Sequence, residues 1–523
     1  MMNSKTRILL FLAVLVLLMS CFRQKAGGQS AGPLTSLRYG YNSEPTTFDP
    51  LNPSNTADGR SILFNVFEGL VKPDSGGALR PCIAESVTME ELGRVYNFKL
   101  RQGVRFHDGS PLTSADVKFS LDTAKSAGFI GFDAVEKIEN NGDYSVKVVL
   151  SRPDPDFLPY LTVGIVKANS ADRDKKAIGT GPYFIESYAV QRELVLRKFA
   201  DYWQDKVPIL DTITIVFFAD SDASVRGLHA GSIDGVEVTG NLASQLSHEQ
   251  FDIIPGYTAM VHLLALNNAA PPLDDIRVRQ AINYGIDIQG IIDAAFFGNG
   301  EPSGSPLIPG LRAYYEHSLT NPYPVDLEKA RSLLKEAGYG ADVAGGDAGG
   351  GAIGENGKKL SLEITVASLY KMHVDTAQVI ADQLARIGID VSIRLVEWAA
   401  WLDDVYHRRK YQATIISLDS PIVSPKGFLS RYRSDDNSNF INYSSAAFDK
   451  VFDALLVEPD EDKRIALYKE AQRIISADAA SVYIQDILGF RALRAGLYGG
   501  VLNYPLYVND FAAMHPAAKS SEQ

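Results

Sequence analysis

Residues Tyr96 to Leu121 read YNFKLRQGVRFHDGSPLTSADVKFSL and contain a complete strand, turn and helix. Apolar and polar residues alternate at the start of this stretch, which predicts a strand with one buried face. Asp108-Gly109 follows as a strong turn signal. Thr113 or Ser114 then suits the N-cap of a helix. The stretch therefore predicts a compact unit of an α/β protein.

His107 and Asp108 lie inside this unit and raise the alternative of a catalytic or metal-binding pair. Such a pair needs further histidine or carboxylate partners at a suitable spacing. No such partner is close in the sequence, and Asp-Gly after a strand is explained by the turn. We therefore interpret both residues as structural, and we expect the chain to have no catalytic residue, metal site or cofactor.

The same mixture of strands and helices extends along the chain. Runs rich in β-branched residues predict strands at Ser145–Leu150, Leu194–Lys198 and Thr212–Phe218, whereas helical patterns occupy Ala115–Lys125 and Ser221–Ala230. Interleaved strands and helices are typical of α/β folds. A chain of 523 residues is too long for one hydrophobic core, so more than one lobe is expected.

One stretch breaks this pattern. Glycine and alanine dominate from Gly338 to Gly357, and the hydrophobic periodicity disappears there. A strand pattern at Leu360–Val366 and a helix pattern at Val374–Ile387 follow it directly. The glycine-rich stretch 338–357 is therefore predicted to be a loop within one lobe and not a domain boundary. Residues 515–523 are predicted to be a disordered tail.

Residues 96–121 resemble the signature of the peptide/nickel class of periplasmic solute-binding proteins, the family of oligopeptide- and dipeptide-binding proteins. Further segments match this family in the same order along the chain. They are SEPTTFDP at Ser43–Pro50, LFNVFEGL at Leu63–Leu70, IGTGPY at Ile178–Tyr183, DYW at Asp201–Trp203, AGSID at Ala230–Asp234, and Asn267–Ile286, which contains DDIRVRQAINYGI. Several widely spaced matches in order are far more specific than any one of them.

The resemblance implies an α/β fold of the bilobal periplasmic-binding-protein kind, in which two hinge-linked lobes close on a ligand and the N-terminal lobe carries an extra inserted subdomain. The corresponding boundaries are a first lobe at 36–60, 178–270 and 488–514, an inserted subdomain at 61–177, and a second lobe at 271–487. The chain is expected to cross between the lobes near Ala269–Pro272 and near Asp486–Gly489. A ligand that contacts both lobes only when they are closed shifts the population towards the closed state.

The N-terminus has the pattern of an export signal. Two basic residues precede an apolar run from Ile8 to Met19, which is shorter than the roughly 20 residues needed to span a bilayer as a helix. Leu18-Met19-Ser20-Cys21 resembles the lipobox of bacterial lipoproteins, which implies a cleaved signal peptide at 1–20 and acylation of Cys21. The alternative is an ordinary signal peptide with a chance cysteine. Residues 21–35 then form a lipidated tether, and the protein is expected in the cell envelope, anchored to a membrane.

Composition excludes several other classes of protein. The formal net charge is −12 and 46% of the residues are hydrophobic, which suits a soluble globular protein and not an electrostatic nucleic-acid binder. Cys82 is the one cysteine besides Cys21, so an acylated Cys21 leaves no intramolecular disulfide. The core must therefore stabilise the fold. We expect a monomer, and the resemblance implies that it works with ABC permease subunits.

The family's ligand site contains an aspartate that pairs with the amine of a bound peptide. The corresponding stretch here is Ile416–Leu429, ISLDSPIVSPKGFL. Aligned on its final Pro and Phe-Leu, it places Pro421 at the position of this aspartate and Leu418 at the position of a family tryptophan. Asp419 is displaced by two residues, and a shift of two restores the same strand face. Asp419 is therefore either the amine anchor or a turn residue before Ser420-Pro421.

Other residues fall at positions that match the ligand cleft of the family. Trp398, in an EW pair at the end of a predicted strand, either lines the cleft or packs in the core of the second lobe. Asn267 follows a predicted strand and carries a donor and an acceptor for a peptide backbone. Glu44 and Thr46 lie in the first-lobe match, with Thr47 as a weaker neighbour.

Two alternatives differ from peptide capture. In this family the same scaffold also binds haem, nickel chelates, oligosaccharides and glutathione, and the displacement of Asp419 leaves such a ligand as an alternative. The scattered histidines argue against a metal site made of several histidines. An exported hydrolase is a more remote alternative, because no GxSxG, HExxH or cysteine-centred catalytic motif is present. We therefore expect a solute-binding lipoprotein of an ABC importer that captures an oligopeptide or dipeptide and is not an enzyme.

Overall fold

The structure is a computed structural model that describes residues 35–74, 77–339, 360–420, 424–500 and 508–517. Cys21 and the predicted tether, most of the glycine-rich loop, Pro421 and the end of the predicted tail lie outside the described residues. Across the described ranges, no helix combines the length and the apolar character needed to cross a membrane.

The described strands form one large mixed sheet, one four-stranded sheet and two small ribbons. They are, in chain order, β1 (Ser36–Tyr41), β2 (Val71–Pro73), β3 (Leu79–Pro81), β4 (Ala84–Glu90), β5 (Val95–Leu100), β6 (Val135–Asn140), β7 (Ser145–Leu150), β8 (Tyr183–Ala189), β9 (Glu193–Lys198), β10 (Thr212–Phe217), β11 (Gly235–Val238), β12 (Phe251–Leu266), β13 (Gly300–Pro302), β14 (Ser361–Ala367), β15 (Asp390–Val396), β16 (Ala413–Asp419), β17 (Ser481–Arg494), β18 (Tyr498–Gly499) and β19 (His515–Pro516). The three strands predicted from β-branched runs correspond to β7, β9 and β10.

The described α-helices alternate with these strands. They are α1 (Ala57–Leu63), α2 (Ser114–Ser126), α3 (Ser221–Ala230), α4 (Gly240–Ala243), α5 (Ile276–Gly285), α6 (Ile288–Phe296), α7 (Leu327–Glu336), α8 (Lys371–Ala385), α9 (Trp398–Trp401), α10 (Pro425–Leu429), α11 (Ala446–Leu455) and α12 (Glu461–Ala477). The two predicted helices correspond to α2 and α3. Thr113 is the N-cap of α2, where the Asp116 carboxylate accepts a hydrogen bond from the Thr113 backbone N–H at 2.8 Å, as in a capping box.

Two long strands, β12 and β17, run antiparallel through the middle of the large sheet. The order continues from β12 to β16, β14 and β15 on one side, and from β17 to β11, β1, β10, β9 and β8 on the other. β14, β15 and β16 are parallel to one another, and so are β1, β10 and β11. Both sets of carboxyl ends point towards the middle of the long strands, because Asp419 pairs with Met260 and Val238 pairs with Phe490.

The hydrophobic cores show where the chain passes from one lobe to the other. The start of β12 and the end of β17 contribute Phe251 and Phe490 to one core, whereas β12 from Ala259 onwards contributes to two different cores. The strand pairing shifts register between residues 257 and 261. We therefore place the first crossing at 258–260, earlier than the expected position near Ala269–Pro272. The proline pair comes after β12 has ended at Leu266, and the last part of that strand already lies in the second lobe.

A separate antiparallel sheet, with the order β4-β5-β7-β6, lies within residues 61–177, the range predicted to form the inserted subdomain. It contains the stretch quoted at the outset, in which Tyr96 and Phe98 are buried in β5 and their rings stack at 6.3 Å. Gly109 takes a positive φ of 82° in the predicted turn, a conformation that favours glycine. The Asp108 carboxylate accepts a hydrogen bond from the Ser110 hydroxyl, as expected for a turn residue.

His107 connects this unit to the matched segment IGTGPY. Its Nδ1 accepts a hydrogen bond from the Gly179 backbone N–H at 3.2 Å, and its Nε2 lies 3.0 Å from the Gly181 carbonyl oxygen. Burial lowers the pKa of His107 to about 4, so the ring is neutral at physiological pH. Both ring nitrogens are used by backbone groups, which supports the structural interpretation of His107.

Three of the matched segments meet at one buried carboxylate, Glu68 of LFNVFEGL. It accepts hydrogen bonds from the Tyr202 hydroxyl at 2.7 Å, the Trp203 indole N–H at 3.0 Å and the Thr180 hydroxyl at 3.1 Å. The Cys82 thiol is a further donor, at 3.4 Å. Burial raises the pKa of Glu68, and the hydrogen bonds from Tyr202 and Trp203 oppose this rise. These motifs therefore fasten the inserted subdomain to the first lobe.

Candidate functional site

The candidate site lies at the carboxyl ends of the three parallel strands of the second lobe. Tyr370 follows β14, Trp398 follows β15, and Asp419 is the last residue of β16. Neighbouring strands are about 4.8 Å apart, so β15 and β16, on either side of β14, are separated by roughly 10 Å. Trp398 and Asp419 therefore share one edge of the second lobe, next to the hinge. Ligands of open α/β sheets bind outside such carboxyl ends.

Trp398 belongs to an aromatic wall formed with Tyr370 and Trp401. Its ring stacks on Trp401 at a centroid distance of 5.0 Å and meets the Tyr370 ring edge-on at 5.8 Å. Trp401 is buried and its indole N–H donates to the Thr414 hydroxyl at 2.8 Å. One face of Trp398 is thus fixed against the core, while the residue remains partly exposed. Trp398 therefore packs on the core of the second lobe and also exposes part of its side chain.

Exposed apolar side chains also lie near the ends of these strands, and they were not identified from the sequence. Leu369 is 69% exposed, and Met372 and Leu395 are also exposed close to the same strand ends. Exposed apolar side chains that form a contiguous patch mark interaction sites more often than scattered ones do. The sequence does contain a signal for this surface. Leu369, Tyr370 and Met372 lie between a predicted strand and a predicted helix, where connecting segments are usually polar.

Asp419 is exposed, and only its backbone makes hydrogen bonds to described residues. Its carbonyl oxygen accepts a hydrogen bond from Arg431 at 2.8 Å, and its backbone pairs with Met260 of β12. No described residue donates to its carboxylate, whereas an aspartate that starts a turn normally accepts a backbone N–H. Leu418, at the position of the family tryptophan, is half-buried against the second-lobe core.

Two buried histidines support the strand that carries Asp419. His262 Nδ1 and His373 Nε2 lie 3.0 Å and 3.1 Å from the Ser417 hydroxyl, and His262 Nε2 lies 3.0 Å from the Thr376 hydroxyl. Burial lowers the pKa of His373 to about 4 and places the pKa of His262 well below its ordinary value. Within the described ranges, no group of three or more His, Cys, Asp or Glu residues is placed to hold a metal ion.

Acid is expected to destabilise the second lobe through these histidines. Their pKa values are lower in the folded chain, so the unfolded chain binds more protons below pH ~6.5, and the free energy of unfolding falls as the pH falls. His373 alone contributes a loss of about 2 kcal/mol between pH 7 and pH 5. Urea unfolding at both pH values measures it, and His373→Gln is expected to remove that part of the loss. His248→Gln is the matched control, because it makes the same substitution at an exposed position.

Glu44 and Thr46 follow the carboxyl end of β1 but are engaged by the first lobe itself. Glu44 accepts hydrogen bonds from the Tyr188 hydroxyl at 2.5 Å and the Gln191 backbone N–H at 2.9 Å. Burial and Glu44 raise the pKa of Tyr188 to about 12. The Thr46 hydroxyl donates to the Ser54 carbonyl oxygen at 3.2 Å. These contacts fix the loop after β1, and the proximity of both residues to the ligand stays a prediction.

Asn267 lies at the other end of the second-lobe sheet. It follows Leu266, which pairs with Ala413 at the start of β16, whereas the candidate site is at the end of β16. Its amide nitrogen donates to the Tyr411 carbonyl oxygen at 2.8 Å, and its amide oxygen accepts from Asn442 at 2.8 Å. The side chain is buried and its donors and acceptor are used, so we leave Asn267 out of the proposed ligand site.

A family model described as bacterial extracellular solute-binding proteins, family 5 Middle, matches residues 78–440. Protein XP55 of Streptomyces lividans is 29% identical over 485 residues, which cover 88% of this chain and 85% of that protein. Oligopeptide-binding protein AppA of Bacillus subtilis is 28% identical over 439 residues, covering 77% and 79%. Heme-binding protein A of Haemophilus influenzae is 25% identical over 483 residues, covering 83% and 84%.

Solved structures share the fold. The periplasmic murein tripeptide binding protein MppA, in its unliganded open form, superposes with a TM-score of 0.82 at 20% sequence identity. The superposition covers 94% of this chain and 99% of that one. The expected bilobal α/β fold is thereby confirmed.

Proposed function

Because this chain belongs to the bacterial extracellular solute-binding proteins, family 5, we propose that its ligand is an oligopeptide or a dipeptide. Members of this family bind a small ligand outside the cytoplasm and work with the permease subunits of ABC transporters. AppA is named for oligopeptide binding and heme-binding protein A for haem, so the family alone does not choose the ligand. In our proposal the chain acts as a monomer and releases its peptide to such a permease.

One observation supports a ligand with a free amine, such as a peptide, above haem or an oligosaccharide: no described residue donates to the carboxylate of Asp419, which lies at the same edge as the aromatic wall. An ammonium group that becomes enclosed between two lobes needs a paired charge, because an unpaired buried ion is very costly. In the proposed mechanism the Asp419 carboxylate pairs with the N-terminal ammonium group of the peptide. Trp398 and Tyr370 contact the first side chain of the peptide. Closure of the lobes then excludes water and strengthens the charge pair.

Calorimetric titration with matched peptides tests this proposal. Short peptides with a free amine are expected to bind, whereas the same peptides with an acetylated amine, which carry no charge there, should bind far more weakly. Haem, glutathione and a nickel–histidine chelate serve as competing ligands. Binding of one of these ligands with no response to any peptide would show that the peptide assignment is wrong.

We also propose that Cys21 is acylated and that the signal peptide is removed, which makes the chain a lipoprotein. The apolar run before Cys21 is too short to span a bilayer, and two or three acyl chains anchor a protein stably where a single chain does not. The anchor would keep the binding protein near its permease while the tether 21–35 lets the lobes stand away from the membrane.

Thiol counting on the membrane-extracted protein tests the anchor. Cys82 is buried as a free thiol, and burial raises its pKa well above the ordinary value, so it should resist a thiol reagent in the native protein. In denaturant, an acylated chain is expected to react once, at Cys82. The Cys21→Ala variant should also react once but should leave the membrane fraction. Two reactive thiols in the denatured wild-type protein would contradict acylation.

A further inference from the structure

Two aspartates of the inserted subdomain form ion pairs with basic residues of the second lobe. Asp154 and Asp156 lie in the segment after β7, whereas Lys426 belongs to α10 and Arg464 to α12. Lys426 Nζ contacts the Asp154 carboxylate, and Arg464 Nε donates to Asp156 Oδ1 at 2.9 Å. We call these two pairs the interlobe bridge.

The bridge is buried, unlike most ion pairs of the described chain. Its four charged side chains are only 8–14% exposed, whereas Asp133 and Arg152, an ion pair within the same subdomain, are 70% and 67% exposed. A buried ion pair is stable only when further hydrogen bonds satisfy its atoms. Asp156 also accepts the hydroxyl of Tyr468, and Arg464 Nη1 donates to the Glu458 carbonyl oxygen at 2.9 Å.

Aromatic residues hold the other pair in place. The Lys426 ammonium group lies 5.2 Å from the centre of the Tyr160 ring, which belongs to the inserted subdomain. The Tyr96 hydroxyl donates to the Asp154 carbonyl oxygen at 2.5 Å, and the Asp156 backbone N–H donates to Asp154 Oδ1 at 3.1 Å. Contacts within its own subdomain therefore fix the conformation of the acidic segment, in addition to its contacts with the second lobe.

The position of the bridge connects it to the candidate site. The chain crosses between the lobes in β12 and β17, and the bridge is a separate contact between the lobes that is made by residues outside these two strands. The two lobes cannot separate at this point without removing both aspartates from their partners. Lys426 also follows Asp419 by only seven positions, in the segment that continues from β16 into α10.

We propose that Asp154 and Asp156 are positioning residues that hold the inserted subdomain on the second lobe and thereby set the affinity for the ligand. The bridge favours the arrangement of this structure, in which the inserted subdomain contacts the second lobe, before a ligand arrives. Apparent affinity rises with the fraction of molecules already in the binding-competent arrangement. The statement about affinity rests on the proposed function, whereas the statement about the lobes does not.

A distance measurement without ligand tests the bridge itself. Spin labels are attached at two exposed positions, Ala127→Cys in the inserted subdomain and Ala454→Cys in the second lobe. The full chain also carries Cys21→Ala, so that Cys82 is its one natural thiol. In Asp154→Lys, the distance between the labels is expected to increase and its distribution to broaden. Combining Asp154→Lys with Lys426→Asp should restore the original distance. Tyr468→Phe, a mild change at Asp156, should give a smaller shift in the same direction.

Asp133→Asn is the matched control, because it removes one charge from an exposed ion pair inside the same subdomain. It should leave the distance between the labels unchanged. An unchanged distance in Asp154→Lys would overturn the proposal, and so would a charge-swapped variant that behaves like the single variant. Circular dichroism of each variant separates an opened protein from an unfolded one.

Ligand titration then measures the consequence for binding. Peptide affinity is expected to fall at least about tenfold in Asp154→Lys and to recover in the charge-swapped variant. Longer distances with unchanged peptide affinity would overturn the role in affinity. If no peptide binds the wild-type protein, the proposed function fails, and the distance measurement still decides whether the bridge holds the lobes.

Discussion

Replacing Asp419 with asparagine is expected to weaken binding of a peptide with a free amine by about 2–4 kcal/mol, or roughly 30- to 1000-fold. The substitution keeps the size of the side chain and removes its charge. In the closed protein the peptide ammonium group would then be enclosed without a partner charge. Isothermal titration calorimetry with one peptide in its free and acetylated forms measures the effect.

Two comparisons isolate the charge pair from a general loss of structure. The acetylated peptide has no ammonium group and leaves the Asp419 carboxylate without a partner charge in wild type, so Asp419→Asn should bind it no more weakly than wild type does. Asp382→Asn removes an exposed carboxylate from α8 of the same lobe and should leave peptide affinity unchanged. Equal affinity of wild type and Asp419→Asn for the free-amine peptide would remove Asp419 from the site.

Local signals in the sequence were sufficient for much of the fold. The β-branched run at 145–150 and the capped helix at 114–126 depend on neighbouring residues, so periodicity and Thr113 identified them. The matched motifs also placed the whole chain in its family. The lobe crossing in β12 was missed because one strand of 16 residues serves both lobes. Its pattern alone does not tell which core receives each apolar residue.

The candidate site was predictable only in part, for a similar reason. Trp398 and Asp419 follow strand ends, and position in a parallel sheet brings such residues together. Glu44 matched the family equally well, but its partner Tyr188 lies 144 residues away, and no sequence pattern reveals that contact. The role of Asn267 could not be decided from the sequence, because a buried amide that serves backbone carbonyls has the same residue type as one that binds a ligand.

The family motifs also mark structural positions, and Glu68 is the clearest example. Its donors come from IGTGPY and DYW, segments more than 100 residues further along the chain. Glu68→Ala would leave the hydroxyls of Tyr202 and Thr180 and the indole N–H of Trp203 without their acceptor at a buried position. Each unsatisfied buried donor costs about 1–3 kcal/mol.

Glu68→Ala is therefore expected to lower the free energy of unfolding of the first lobe by about 3–5 kcal/mol, within the range of the largest single-site losses. Cys82 donates to Glu68 and reports on this region directly, because its thiol reacts only where the inserted subdomain has opened. Its reaction rate should rise strongly in Glu68→Ala under native conditions. Glu186→Ala is the control. It removes an exposed carboxylate that pairs with Arg197 at the surface and should leave the thiol protected. An equally protected thiol in Glu68→Ala would mean that the three motifs are held together by something other than this carboxylate.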